Sequence, residues 1–186
     1  MTISVGVAGK RCHDSDDRFS EIARMSPKHV DSTRLVPIED LQGDSEQDTA
    51  LLRRMADDAR AFLTEQTWCL GVERMWFGLG VGGIVAVFLA SISTTSSDVD
   101  DTLWIVVGDL PSAYLVTDES PDAVEALKTY IAEMRLWIEA ARTGVGFDEV
   151  IPVPVEPTRE AADSLEKRLA FLEREVLGAR GASSSS

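Results

Sequence analysis

Residues 103–117 read LWIVVGDLPSAYLVT. Two short apolar runs, Leu103–Val107 and Ala113–Thr117, flank Gly108-Asp109-Leu110-Pro111. The runs are rich in β-branched and aromatic side chains, which suit a pleated surface. Gly and Asp tolerate turn angles and Pro fixes one φ, so the tetrapeptide predicts a tight connection. The whole stretch predicts an antiparallel hairpin. Ahead of it, Ile84–Ser91 is a continuous apolar run of strand length. A Ser/Thr/Asp-rich loop, 93–101, joins that run to the hairpin and predicts a third antiparallel strand.

The segment Met75–Ser97 has 23 residues and no charge, enough length to span a bilayer. Glycines at 78, 80, 82 and 83 interrupt its first half, and its last five residues are Ser and Thr. Only Ile84–Ile92 is strongly apolar, and Arg74 is its one adjacent cation. The segment therefore predicts a glycine-rich turn feeding a buried strand; membrane attachment through 75–92 is the second alternative.

Helices flank the strands. Ser45-Glu46-Gln47-Asp48 has the chemistry of a helix cap, and Leu51, Leu52, Met55, Ala59, Phe62 and Leu63 recur at helical spacing as far as Glu65. Trp68–Phe77 predicts a shorter second helix, ended by the glycines. Ser120-Pro121-Asp122 predicts the next start, with Ser120 as cap and Pro121 in the first turn. Val124, Leu127, Ile131, Met134, Ile138 and Ala141 form its buried stripe, ended by Gly144 and Gly146. Alternate prolines keep 151–157 extended. Thr158 caps a last helix that buries Leu165, Leu169, Leu172 and Val176, with an Asp163–Lys167 pair on its surface.

The expected fold class is α+β, a small antiparallel sheet of about three strands with helices on one face, in the order α-α-β-β-β-α-α. One domain is expected over 45–178, with a flexible or loosely docked N-terminal extension at 1–44 and a disordered tail at 179–186.

Charge narrows the partners. The chain has 186 residues and a net charge of −14. From Met75 to Leu127 there is no Lys or Arg, while eight acids fall between Asp98 and Glu125. Such a run predicts a surface with a negative field and no internal counter-charge. It favours cationic partners and repels nucleic acid and anionic lipid heads. Two cysteines, Cys12 and Cys69, read as free thiols of a cytoplasmic protein. The N-terminus has its short apolar stretch ahead of its first basic residues, the reverse of a secretion signal.

Motif chemistry is sparse. Gly78–Gly83 lacks the Lys of a phosphate loop and precedes a strand. Asp98-Val99-Asp100-Asp101 starts like a calcium loop, but Leu103 stands where the required Gly belongs. The two histidines, His13 and His29, lie in the N-terminal extension, too few for a His-rich zinc site and remote from Cys69. No cofactor or metal is expected. Trp68, Trp76, Trp104 and Trp137 read as core. Met75-Trp76-Phe77 is the exception, because three large apolar residues in a row cannot all point inward on a regular element; at least one is expected at an interface or pocket mouth.

Trp68-Cys69, LWIVVGDLPSAYLVTD and IPVPVEPT, followed by a capped helix, resemble an uncharacterised bacterial protein family over roughly residues 55–177. Gly108-Asp109-Leu110-Pro111 and Tyr114 carry most of the likeness. Residues 1–45 fall outside it, as an extension of this chain or as the product of a start upstream of Met25 or Met55. The resemblance implies a soluble bacterial domain and carries over no site residues.

The leading expectation is a non-enzymatic interaction protein, inhibitor-like, immunity-like or an adaptor, that docks a basic protein partner. Its acidic face would comprise Asp98, Asp100, Asp101, Asp118 and Glu119. The alternative is a small-ligand binder or unfamiliar enzyme with a pocket between sheet and helices near Trp76, Asp109, Tyr114 and Trp137. Self-association through Met75–Phe77 or the last helix is compatible with either.

Overall fold

The computed structural model describes residues 30–95, 100–118 and 120–178. In chain order these form β1 (Val36–Pro37), α1 (Glu46–Thr64), β2 (Cys69–Val81), β3 (Val85–Thr94), β4 (Thr102–Gly108), β5 (Ala113–Val116), α2 (Ala123–Thr143) and α3 (Arg159–Phe171). A π-helical turn, Leu172–Leu177, continues α3. The strands make one sheet in the order β1-β2-β3-β4-β5, antiparallel throughout. The mixed helix-and-sheet class is as expected, with five strands in place of about three.

The hairpin of residues 103–117 is present as β4 and β5, and β3 lies antiparallel to β4. The expected second helix is absent: Trp68–Phe77 leads into and forms much of β2. Its register against β3 slips between Cys69 and Gly71, between Val72 and Arg74, and between Phe77 and Leu79. Each slip is a bulge that adds a residue and breaks strict alternation. The period-2 signal of a strand is thereby erased from the sequence.

Helices cover both faces rather than one. α1 packs Leu52, Met55, Ala56, Ala59 and Leu63 on one side, against Ala86, Phe88, Ala90 and Ile92 of β3 and Leu103, Ile105 and Val107 of β4. α2 and α3 pack on the other side, against Val85, Val87 and Leu89 of β3 and Trp104 and Val106 of β4. A strand buried on both faces is apolar at every position, which explains the continuous run in β3. The same geometry accommodates the apolar triplet: Met75 and Phe77 pack on the α1 side and Trp76 on the α2 side. Each fully buried Leu or Phe contributes about 1.5–3 kcal/mol relative to exposure. At Gly78 a Cβ would collide with Ala123 in the first turn of α2, so glycine is what lets that helix settle on the sheet. Gly83 has φ +78° in the β2–β3 turn, a conformation that favours glycine.

The helix starts follow local chemistry. Ser45 Oγ accepts from Asp48 N–H at 3.1 Å, and Thr158 Oγ1 accepts from Ala161 N–H at 3.1 Å. α2 begins two residues later than expected. Asp122 is its cap, with Oδ1 accepting from Val124 and Glu125 N–H at 2.8 and 2.9 Å. Ser120 is instead buried, and its carbonyl accepts from Trp104 Nε1–H at 2.8 Å. Asp163 feels the charge of Lys167, but its direct bridge is to Arg142 of α2, whose guanidinium also holds Glu166. With Arg135–Glu173, these bridges fix α2 and α3 side by side and antiparallel.

N-terminal to residue 45, β1 pairs Val36 with Phe77 and Pro37 with Trp76, and Leu41 is fully buried. The expectations for residues 1–29 and for the tail at 179–186 lie outside the described residues. Residues 75–92 form parts of β2 and β3 and the turn between them. Among the described residues no helix is long and apolar enough to cross a membrane.

Candidate functional site

The sheet has two ends, and the acids divide between them. At one end are the β2–β3 turn and the β4–β5 connection, tied by Asp109 N–H donating to Ile84 O at 3.0 Å. At the other end are the start of β2, the β3–β4 loop and the exit from β5. There Thr95 N–H donates to Trp68 O at 2.9 Å and Ile92 N–H to Asp101 O at 2.9 Å. Ser91 lies opposite Thr102, and Leu103 opposite Val116. This register brings the loop carrying Asp100 and Asp101 to the same end as Asp118.

Asp100, Asp101 and Asp118 are all exposed. Asp101 Oδ1 accepts from the Thr102 hydroxyl at 3.1 Å. Among the described residues, neither Asp100 nor Asp101 forms an ion pair. Asp98 and Glu119, the other two acids of the expected face, lie outside the described residues.

The acidic window is not without counter-charge in space. Arg168, 59 residues along the chain, donates to Asp109 O at 3.0 Å and lies 3.4 Å from its carboxylate. Lys128 Nζ pairs with Glu125 at 2.7 Å. α3 folding back over the sheet therefore compensates the turn end, while Asp100 and Asp101, on the β3–β4 loop, have no such partner among the described residues.

Beside that loop is a group of aromatics. The ring of Trp68 meets Tyr114 edge-on at 5.0 Å, and Tyr114 meets Phe62 of α1 at 6.3 Å. All three are half-buried. Carboxylates at the same end of a sheet as half-buried aromatic rings suit a guanidinium, which takes hydrogen bonds in its plane and aromatic contact on its face. From the sequence Trp68 reads as core and Tyr114 as a pocket candidate near Asp109, because the sequence does not reveal that residues 62, 68 and 114 meet. Cys69 next to them is free and buried, and burial pushes its thiol up from its ordinary value.

The four residues expected around a pocket are dispersed. Trp137 is buried with Trp76 against the α2 side of the sheet, while Tyr114 is on the α1 side, so the sheet separates them. Asp109 is at the turn end with a 70 % exposed side chain. An open depression of about 530 Å³ lies elsewhere, lined by Gln42, Gly43, Ser45, Glu46, Thr49 and Arg53 among others. There Thr49 Oγ1 accepts from Gly43 N–H, and Arg53 donates to Leu41 O at 3.4 Å. Among the described residues no cluster of three His, Cys, Asp or Glu side chains has the arrangement of a metal site.

Comparison with protein-family models, curated proteins and solved structures yields no match.

Proposed function

We propose that the chain is a non-enzymatic docking protein that engages a basic protein partner through the acidic end of its sheet, as an inhibitor, immunity-type protein or adaptor. The observation that carries this reading is the exposed pair Asp100 and Asp101, without ion pairs among the described residues, in a chain of net charge −14. Such charges raise the rate of encounter with a cationic partner and reject anionic ones. The half-buried Trp68 and Tyr114 beside them supply apolar contact area of the kind that anchors interfaces. Free, buried Cys69 fits a reducing compartment, and the cytoplasm is the proposed location.

The test is co-purification on the immobilised full-length chain at low and moderate salt, run beside a D100K/D101K chain. A basic protein retained by the parent chain, released by salt and lost with the charge reversal supports docking through this end. Equal retention by both chains overturns it.

A further inference from the structure

β5 closes one side of the sheet, and no strand lies along its outer edge among the described residues. The direction of its main-chain groups follows from the ladder. Ile92 N–H donates to Asp101 O and Asp109 N–H to Ile84 O, so Leu103, Ile105 and Val107 bond towards β3, and Trp104 and Val106 towards β5. Trp104 stands opposite Leu115, and Val106 opposite Ala113. Tyr114 and Val116 therefore aim their N–H and C=O groups outward. Such an edge is a template for another strand, and charged side chains commonly guard it. This one has no charged guard: Pro111 to Thr117 carry no charge.

We propose that the outer edge of β5 receives an extended segment of the basic partner, which adds to the sheet as a further strand with its Lys or Arg side chains at the Asp100–Asp101 end. This mode of docking rests on the reading above and gives the partner a shape. Added strands are held by main-chain hydrogen bonds and selected through alternate side chains.

Charge complementarity selects the occupant. Leu103 stands opposite Val116, so Asp101 and Asp100 lie just past the end of β5, one strand spacing of about 4.8 Å in from its edge. A guanidinium on the added strand spans that distance. At the other end of β5 the Asp109 carboxylate already has Arg168. The edge is therefore directional, compensated where β5 begins and acidic where it ends. A second copy is a poor occupant, since Met75–Leu127 offers no Lys or Arg to its acids.

The apolar pattern agrees. Tyr114 and Val116 are half-buried on the α1 side, where Phe62 and Trp68 meet Tyr114. Residues of an added strand opposite Tyr114 and Val116 point their side chains to that same face. Apolar residues there would extend a surface that α1 leaves half open. Every pair in this sheet is antiparallel. An antiparallel arrival places the partner's cations N-terminal to its apolar residues.

The test is titration of the full-length chain with a synthetic peptide of three arginines followed by alternating valines and threonines, read by fluorescence anisotropy and amide exchange. The peptide should bind and slow exchange of the Val116 amide about tenfold, while the Leu115 amide, which faces β4, stays unchanged. The same peptide with N-methylated valines keeps its charge but loses the donors that face β5, and should bind about tenfold more weakly. The D100K/D101K chain should also bind the unmethylated peptide about tenfold more weakly, with its Leu115 amide still protected as evidence of an intact fold. Equal binding of the methylated peptide, or an unaltered Val116 amide, overturns strand addition and leaves docking at the acidic end standing. Undiminished binding to D100K/D101K overturns the placement of the cations. A peptide that does not bind at low salt overturns the proposal, and the co-purification then decides the docking reading separately.

Discussion

Asp48, in the first turn of α1, accepts a hydrogen bond from the backbone N–H of Gly82 in the β2–β3 turn at 2.9 Å. Its second oxygen accepts from Asp44 N–H at 3.1 Å. One carboxylate thus fastens the helix to the hairpin and to the loop that precedes it. Asp48→Ala should cost about 1–3 kcal/mol, because two donors lose an ionised acceptor. Gly82→Ala attacks the same junction, since its Cβ would overlap the Asp48 carboxylate and lie 3.0 Å from Leu51 Cβ. Urea unfolding of both variants and the double variant should show less than additive losses. Strict additivity would mean that the two residues act separately.

Trp104 is fully buried, and its indole N–H is held by Ser120 O. Trp104→Phe keeps an aromatic ring and removes the donor. The Ser120 carbonyl is then left buried without it, at a cost of about 1–3 kcal/mol. A denaturation midpoint equal to that of the parent would show that water replaces the indole.

Tyr130 donates its hydroxyl to Pro111 O at 2.7 Å, and burial pushes the phenol well above its ordinary value of 10.0. The folded chain should therefore keep Tyr130 protonated. In a Tyr114→Phe background, phenolate absorbance should stay flat until the chain unfolds in alkali. Stability should decline above pH 10, because the unfolded chain ionises this group first. Gradual ionisation with the fold intact would contradict the burial argument.

The Arg142 guanidinium holds the Asp163 carboxyl below its usual value of 3.8. A carboxylate depressed on folding stabilises above its unfolded pKa and loses that contribution as pH falls through its folded pKa. The parent chain should therefore exceed Asp163→Asn in stability at neutral pH, and the two should converge in acid below pH 3.8. Parallel acid limbs would show that the bridge makes no difference in solution.

Much of this architecture could be read from particular residues. Ser45 and Thr158 announce their helices, and Gly108–Pro111 announces the hairpin, because caps and turns depend on nearest neighbours in sequence. β2 could not be read that way. Its bulges at Leu70, Glu73 and Gly78 destroy alternation, and the surviving pattern of Leu70, Val72, Met75 and Trp76 imitates a helix. The continuous apolar run in β3 already required cover on both faces, which a one-sided arrangement does not supply. At the candidate site, Asp100 and Asp101 could be recognised from charge alone. That Asp109 is answered by Arg168, and that Phe62 and Trp68 gather around Tyr114, depends on contacts between distant segments that carry no local signal.

Because the sheet runs β1-β2-β3-β4-β5 in the order of synthesis, every strand pairs with its immediate predecessor or successor. Short-range pairing of this kind allows rapid assembly as the chain emerges from the ribosome. α1 is available to cover its face from the outset, but α2 and α3 arrive last. Until then Leu79, Val87, Leu89, Trp104 and Val106 have no helix above them. The nascent protein therefore passes through an interval in which half of its finished sheet is sticky, and that interval is when a chaperone would have something to hold.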